Sequence, residues 1–252
     1  MRWKGLMFAA LAAGASGVAP AAQDLAATCH ASSSYDLTLA PDALLFDRSG
    51  PPPRRIRLHG GRLDVDGAPV PLRAEDGDRV ALFEQDVRAL APRARRLALE
   101  GVDLAVAAVR AEAAAFGADA RTRAELDRRL AEHGDALKRR IAASTSTHDW
   151  HGDAFDRYAA DFAADVVPLL AADLARQAVA AALAGDLATA ATLRDRTADL
   201  AGELQPRLER RLQVLRPRIQ ARCPSLQRLH ELQLGLRDGQ GRPLDLLDIG
   251  AP

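Results

Sequence analysis

The stretch DRVALFEQDVRALAPRARRLALEGVDLAVAAVRAEAAAF, Asp78–Phe116, decides the fold. Within it Val80, Phe83, Val87, Leu90, Ala94, Leu97, Gly101, Leu104, Ala108, Ala111 and Ala115 recur in steps of three and four, with Arg, Asp and Glu between them. That is the period of one buried helix face. Pro92 interrupts the stripe once; it lacks an N–H, so it either starts a new helix or kinks a continuous one. Asp76 or Asp78 is placed to cap the first turn, where an acceptor side chain satisfies open backbone N–H groups. The small residues Ala94, Gly101, Ala108, Ala111 and Ala115 would let a neighbouring helix approach closely.

Downstream the same period continues. Gly117 and Asp119 break the pattern and restart it, and Leu126, Leu130, Leu137 and Ile141 mark a second helix that ends in the polar run Ser144 to Thr147. A third is expected from near Asp153 towards Ala184, with Phe155, Tyr158, Phe162, Val166, Leu169, Leu170 and Leu174 on one side and Pro168 as a kink. Its most apolar part, Val166 to Ala184, carries Asp173 and Arg176 and reads as a core helix rather than a membrane span. Gly185-Asp186 closes it, and Leu200, Leu204, Leu208, Leu212, Leu215 and Ile219 mark a last helix bent at Pro206 and Pro217.

Upstream, between Ser32 and Leu72, the period is two. Tyr35, Leu37 and Leu39 alternate with polar residues, Pro41-Asp42 turns the chain into Leu44-Leu45-Phe46, and Ile56 and Leu58 precede Gly60-Gly61. Leu63 and Val65 then lead into Asp66-Gly67, a pair that tolerates the positive φ of a type I′ hairpin turn, and Val70 and Leu72 return. A small antiparallel sheet of four or five strands is expected. After Cys223-Pro224 the alternation of Leu232, Leu234 and Leu236, the turn Asp238-Gly239, and Leu244, Leu246 and Ile249 predict an extended tail, or a last hairpin joining the N-terminal sheet.

Arg2 and Lys4 precede an apolar run from Gly5 to Val18, and Ala19-Pro20-Ala21 supplies the small residues a signal peptidase needs. This reads as a secretory signal peptide with cleavage after Ala21; the run is too short for a membrane span of about 20 residues. Cys29 and Cys223, the only two cysteines, would both lie in the mature chain in an oxidising compartment. A disulfide is the expected reading, with a free nucleophile or a metal-ligand pair as the alternative. It would close a loop of 194 residues (223 − 29), for which chain entropy sets an upper figure of about 5 kcal/mol.

The 252 residues suffice for one or two domains with a substantial core, and aromatics at 4% mean that the core is built from aliphatic and small side chains. The formal net charge of +0 argues against a nucleic-acid binder, which ordinarily carries a basic surplus. Lys4 and Lys138 are the only lysines, so nearly all positive charge is Arg.

The leader, the early cysteine, the hairpin segment ending in Leu63-Asp64-Val65-Asp66-Gly67, the block Phe83-Glu84-Gln85-Asp86-Val87-Arg88-Ala89-Leu90-Ala91-Pro92 and the second cysteine near the C-terminus together resemble the YggN-like family of exported bacterial proteins. The resemblance covers most of the mature chain and implies a periplasmic location. It is a family of unknown function, so the resemblance carries no catalytic residues with it.

The best candidate for chemistry is His148-Asp149-Trp150-His151-Gly152-Asp153. Two histidines three apart with carboxylates beside them could hold a divalent metal on a helix, yet the spacing matches no zinc signature and Gly152 favours a loop. The plainer reading is a polar loop in which Asp153 caps the next helix and Trp150 covers the core. Ser144, Thr145, Ser146 and Thr147 invite a hydrolase idea, but no G-x-S-x-G elbow is present. Asp64, Asp66 and Gly67 lack the third carboxylate and closing Glu of a calcium loop and read as a turn. Charge is uneven. Asp149, Asp153, Asp156, Asp161, Asp165 and Asp173 make the third helix acidic, while Arg207, Arg210, Arg211, Arg216, Arg218 and Arg222 make the last basic. Either these are solvated faces or matched neighbours, worth up to about 1 kcal/mol per exposed pair, or they meet an anionic partner.

The expected architecture is therefore α+β: a signal peptide (1–21), a β-hairpin region (22–73), a long-helix bundle (74–222) and an extended C-terminal tail or hairpin (223–252). No catalytic, metal or cofactor site and no cofactor is assigned. The expected function is a non-enzymatic periplasmic protein that binds an envelope protein or an anionic envelope component through its helices. The alternatives are a carrier of an apolar ligand between helices, and a metal-dependent hydrolase using His148, His151 and Asp153. No membrane span after cleavage and no nucleic-acid partner are expected, and the oligomeric state stays open.

Overall fold

In a computed structural model of the chain, the described residues are 28–150 and 153–250. The expected signal peptide, with its expected cleavage after Ala21, and His151 and Gly152 lie outside them. The elements are β1 (Ala31–Ser32), β2 (Asp36–Leu39), β3 (Leu44–Asp47), β4 (Arg55–His59), β5 (Arg62–Val65), β6 (Ala68–Val70), α1 (Ala74–Ala115), α2 (Ala120–Ala143), α3 (Asp153–Leu183), α4 (Leu187–Leu212), α5 (Arg216–Gln220), α6 (Cys223–Gln233) and β7 (Asp248–Ile249). This is the α+β arrangement the two periodicities predict. The described chain divides into two compact units, and neither is contiguous in sequence: one comprises 28–99, 140–150 and 215–250, the other 100–139 and 153–214.

The first unit is built on a five-stranded antiparallel meander in the order β2-β3-β4-β5-β6. Its register places Phe46 opposite Ile56, Leu44 opposite Leu58, and Leu58 opposite Leu63. All five of these side chains are buried, so one face of the meander is continuously apolar. Asp66 (φ 50°) and Gly67 (φ 85°) make the β5–β6 turn with both residues left-handed, as a type I′ turn requires. Against this face lie Val80, Phe83 and Val87 of α1, Leu229 of α6, and Leu236, Leu244 and Leu246. Phe46 is the aromatic hinge of the core, 6.4 Å from the Tyr35 ring edge-on and 6.1 Å from Phe83. Tyr35 donates its hydroxyl to the Pro53 carbonyl (3.0 Å) and carries the Arg48 guanidinium 4.4 Å above its ring.

The C-terminal segment departs from the extended tail. Cys223–Gln233 is helical because Pro224 stands in the first turn, where no N–H is required, and Leu226, Leu229 and Gln233 follow at helical spacing. The chain becomes extended only after Leu234. A tight loop then closes with the Leu244 N–H on the Leu236 carbonyl (3.0 Å), and the Asp238 carboxylate accepts from the Gln240 and Arg242 N–H groups (2.8 and 2.9 Å). The end returns to the beginning as expected, although the partner is β1 rather than the meander: Ala31 pairs with Ile249 and Ser32 with Asp248. Cys29 and Cys223 are disulfide-bonded beside this pairing, with Cα atoms 5.2 Å apart.

The second unit is helical. α1 begins among the residues of the first unit, runs unbroken through Pro92 and belongs to the second from residue 100; its start is not capped by a side chain of Asp76 or Asp78. Helix begins earlier, at Ala74, so Asp76 lies inside the first turn and accepts from Arg73 (2.9 Å). At the other end Gly117 (φ 81°) ends α1: the Ala118 N–H reaches the Ala113 carbonyl and the Gly117 N–H reaches Ala114, both at 3.0 Å. This Schellman pattern satisfies carbonyls that the helix would leave open. Asp119 then caps α2 by accepting from the Thr122 N–H (2.6 Å). The device recurs at the next corner, where Gly185 (φ 83°) ends α3 and Asp186 caps α4 through the Thr189 N–H (3.0 Å). Val109, Ala113 and Phe116 of α1 share one core with Leu126 and Leu130 of α2, Val166, Leu170 and Leu174 of α3, and Leu200 and Leu204 of α4. Close approach of α1 and α2 comes from Gly134 on α2, where a Cβ would stand 3.3 Å from Val106.

One helical reading needs correction. α3 is long and apolar enough over Ala160–Leu183 to cross a membrane by length and composition, but it is not the buried core helix that its apolar run suggested. Only 22% of its most apolar window is buried. Val166, Leu170 and Leu174 form a stripe that faces the core; beyond Gln177 the sequence is apolar on every side of the helix, and one side alone can be covered.

Removing the disulfide should loosen the first unit from its ends. The variant Cys29→Ser with Cys223→Ser is expected to lose up to about 5 kcal/mol in urea unfolding, the chain-entropy limit for a loop of this length. Coincident unfolding curves for the variant and the oxidised protein would show that the β1–β7 pairing alone holds the ends.

Candidate functional site

The segment Ser144–Trp150 holds the residues that first suggested chemistry, and the structure gives them a backbone task. The Leu39 N–H donates to the Thr145 carbonyl (2.8 Å), the Leu37 N–H donates to Thr147 Oγ1 (2.8 Å), and the Thr38 hydroxyl donates to Ser146 Oγ (3.0 Å). These three residues belong to β2, an edge of the meander, and an uncovered edge strand leaves a row of open backbone groups. The polar run closes that row. The opposite edge, β6, carries Pro69, whose missing N–H blunts further pairing. Ser144 Oγ accepts from Trp150 Nε1 (2.8 Å), and the Arg140 guanidinium lies 5.6 Å from the Trp150 ring centroid. Trp150 is thus fixed by polar contacts and half-buried, as part of the segment's own fold.

Of the residues offered as metal ligands, His148 places Nδ1 3.0 Å from Asp36 Oδ2, and its side chain is 79% exposed. Asp153 opens α3, and His151 lies outside the described residues. Among the described residues no group of three His, Cys, Asp or Glu is arranged to hold a metal ion. Asp64 and Asp66 serve the hairpins. Asp64 lies 3.0 Å from His59 Nε2, and Asp66 Oδ1 accepts from the Arg54 and Arg55 N–H groups at 2.8 Å. Those N–H donors hold the Asp66 carboxyl below the usual carboxylate range.

The acidic and basic helices pack together through their apolar stripes, but their charges pair elsewhere. On α3, Asp165 meets α2 through Arg129 (2.6 Å) and His133 (3.0 Å), and the His133 ring stands edge-on to Phe162 at 5.4 Å. On α4, Arg211 and Arg207 meet the buried Glu112 of α1 at 2.5 and 3.6 Å. The two helices thus pack as neighbours, while among the described side chains Asp165 forms its ion pairs with α2, and Arg207 and Arg211 pair with Glu112 of α1.

Asp173 is the buried acid at the centre of the α1–α2 corner. It accepts from the Asp119 N–H (2.9 Å), from Gln177 Nε2 (3.0 Å) and from Arg176 (2.7 Å). Gln177 also donates to the Gly117 carbonyl (3.0 Å). One side chain thereby fixes the turn that the glycine and the cap begin. Asp119 itself is held low, at about 2, first by the Thr122 N–H. Glu125 is lowered to about 2 by hydrogen bonds from Arg128 and Arg129.

The feature that sequence reading missed is the end of the α3–α4 hairpin. Val179, Leu183 and Leu187 are 60%, 85% and 71% exposed. The signal was present: Ala178 to Ala184 contains no polar residue, so no helix face there is suited to water.

The chain belongs to the family described as Protein of unknown function (DUF2884), which matches residues 29–246. No curated protein and no solved structure matches it.

Two outcomes follow for the helical corner. Asp173→Ala removes the buried acceptor shared by the Asp119 N–H, Arg176 and the half-buried Gln177 and should cost about 1–3 kcal/mol in chemical unfolding; an unchanged midpoint would remove Asp173 from the corner's support. Asp119 and Glu125 titrate lower folded than unfolded, so their stabilisation is present above about pH 4.5 and is lost as pH falls through about 2. Thermal melts from pH 5 to pH 2 should show this decline, made shallower by Asp119→Asn, which keeps a capping oxygen without the charge.

Proposed function

We propose that this is an exported, non-enzymatic protein of the bacterial cell envelope, of the YggN-like kind, that binds another envelope protein through the end of its α3–α4 hairpin. The observation that carries the binding role is the exposure of Val179, Leu183 and Leu187 on consecutive turns around one helix corner. Contiguous exposed apolar surface is unfavourable in water and marks interaction sites when it persists on a folded unit. The well-formed Gly185–Asp186 corner presents these side chains on a rigid support. Export is supported by the leader sequence and by a disulfide, the state cysteines adopt in oxidising compartments. A protein partner is favoured over a nucleic acid because the chain carries no basic surplus.

The test is site-specific photo-crosslinking in the periplasm of intact cells, with the crosslinker at position 183 and, as a control, at the polar position 128. A discrete adduct at 183 that is absent at 128 and is lost in Val179→Glu supports the reading. No adduct at 183, or equal adducts at both positions, defeats it. Chemical N-terminal sequencing of the recovered protein should begin at Ala22.

A further inference from the structure

The helical unit contains a cavity of about 380 Å³ lined by Glu112, Ala115, Arg207, Arg210 and Arg211. Its walls come from one turn of α1 and one turn of α4. Glu112, 4% exposed, accepts from Arg211 Nε at 2.5 Å. Arg207 is held between Glu112 Oε2 (3.6 Å) and Glu203 (3.0 Å) and lies 4.9 Å from the Phe116 ring centroid, which fixes its guanidinium plane. Arg210, an exposed residue of the lining, makes no ion pair with a described residue. A small space thus brings together three guanidinium groups, two of them oriented by a buried carboxylate, with one charge left unmatched.

We propose that this cavity binds a phosphate group carried on a larger molecule. Guanidinium presents planar pairs of N–H donors that match phosphate oxygens, and its charge strengthens each bond. Arg207, Arg210 and Arg211 lie at positions i, i+3 and i+4 of one helix, and so approach a common point from separate directions. A tetrahedral phosphate offers oxygens in three directions; a planar carboxylate offers two in one plane. The hollow is open to solvent and larger than a lone phosphate, which leaves the rest of the carrier free to extend outwards. Glu112 is the one acidic lining group and would repel an anion placed beside it. The phosphate therefore sits towards Arg210 and Arg211 and away from Glu112, which acts as a positioning residue for Arg207 and Arg211.

The site is independent of the apolar hairpin end, and its test distinguishes two sources of the phosphate. Calorimetry of the oxidised, mature protein is run with glycerol phosphate, and vesicle co-sedimentation with phosphatidic acid in phosphatidylcholine. Binding in the first arm assigns a soluble phosphate ester, and binding confined to the second assigns a lipid headgroup. In either arm Arg210→Ala should weaken binding by about tenfold or more, the usual loss for one charged hydrogen-bonding group. Arg210→Ala is an exposed change and should leave the thermal melt unaltered. Absence of binding in both arms, undiminished binding by Arg210→Ala, or equal binding of acetate at the same site would overturn the proposal.

Discussion

The constraint on which the first unit depends is that its two ends must be held together. Its strands β1 and β7 are two residues each, too short to form a stable pair alone, and they come from positions more than two hundred residues apart in the chain. Closing so long a separation costs conformational entropy before any contact is made. The Cys29–Cys223 bond imposes that closure covalently, beside the strands that benefit from it. Gln233 extends the same logic to the following segment: its side-chain amide accepts from the Leu247 N–H and donates to the Leu247 carbonyl, taking the place of a neighbouring strand. The whole helical unit is encoded inside the disulfide loop, which makes the first unit a host and the helices an insertion in chain order.

Much of this was legible because two periods dominate the sequence. Alternation of Leu44 with Phe46, Ile56 with Leu58 and Leu63 with Val65 identified one face of the meander, and the positive φ tolerated by Asp66-Gly67 fixed a turn. Gly117-Asp119 and Gly185-Asp186 were legible as corners, since a left-handed residue followed by a capping acid ends one helix and begins the next. What failed was local ambiguity. Leu226, Leu229 and Leu232 sit at helical spacing while Leu232, Leu234 and Leu236 alternate, and a short apolar run around a proline satisfies either pattern. Contact with the sheet decided between them, through Leu229.

Charge was harder to read than hydrophobicity. The acidic face of α3 and the basic face of α4 belong to helices that share an apolar core, so pairing them was the simplest inference from sequence. An ion pair, however, needs side chains that lie on the same side of the packed seam. Asp165 and Arg207 lie outside that seam, towards α2 and α1 respectively, and each finds a partner there that no local pattern could name. The same reasoning explains the hydroxyl run Ser144 to Thr147. A cluster of serines and threonines suggests nucleophiles in isolation, yet its donors and acceptors match the unpaired edge of a strand over a hundred residues earlier.

The two features with most bearing on function are those that folding does not explain. Burial accounts for Val166, Leu170 and Leu174 on α3, and it gives no reason for Val179 and Leu183 to be apolar. Replacing them with polar residues would not open the core, so their chemistry is not required by the fold's own stability. Glu112 presents the converse case: a buried carboxylate is costly unless paired, and an apolar residue of similar size is often as stable there. Glu112 is paired, with Arg207 and Arg211, and those pairs hold two guanidinium groups at the edge of an open hollow. Both features lie in the helical unit, while the meander unit is occupied with closing its edges and its ends. The contrast is physical: in the first unit the polar and covalent devices close strand edges and chain ends, whereas in the helical unit an apolar helix end and an arginine cluster are left over after the core is packed.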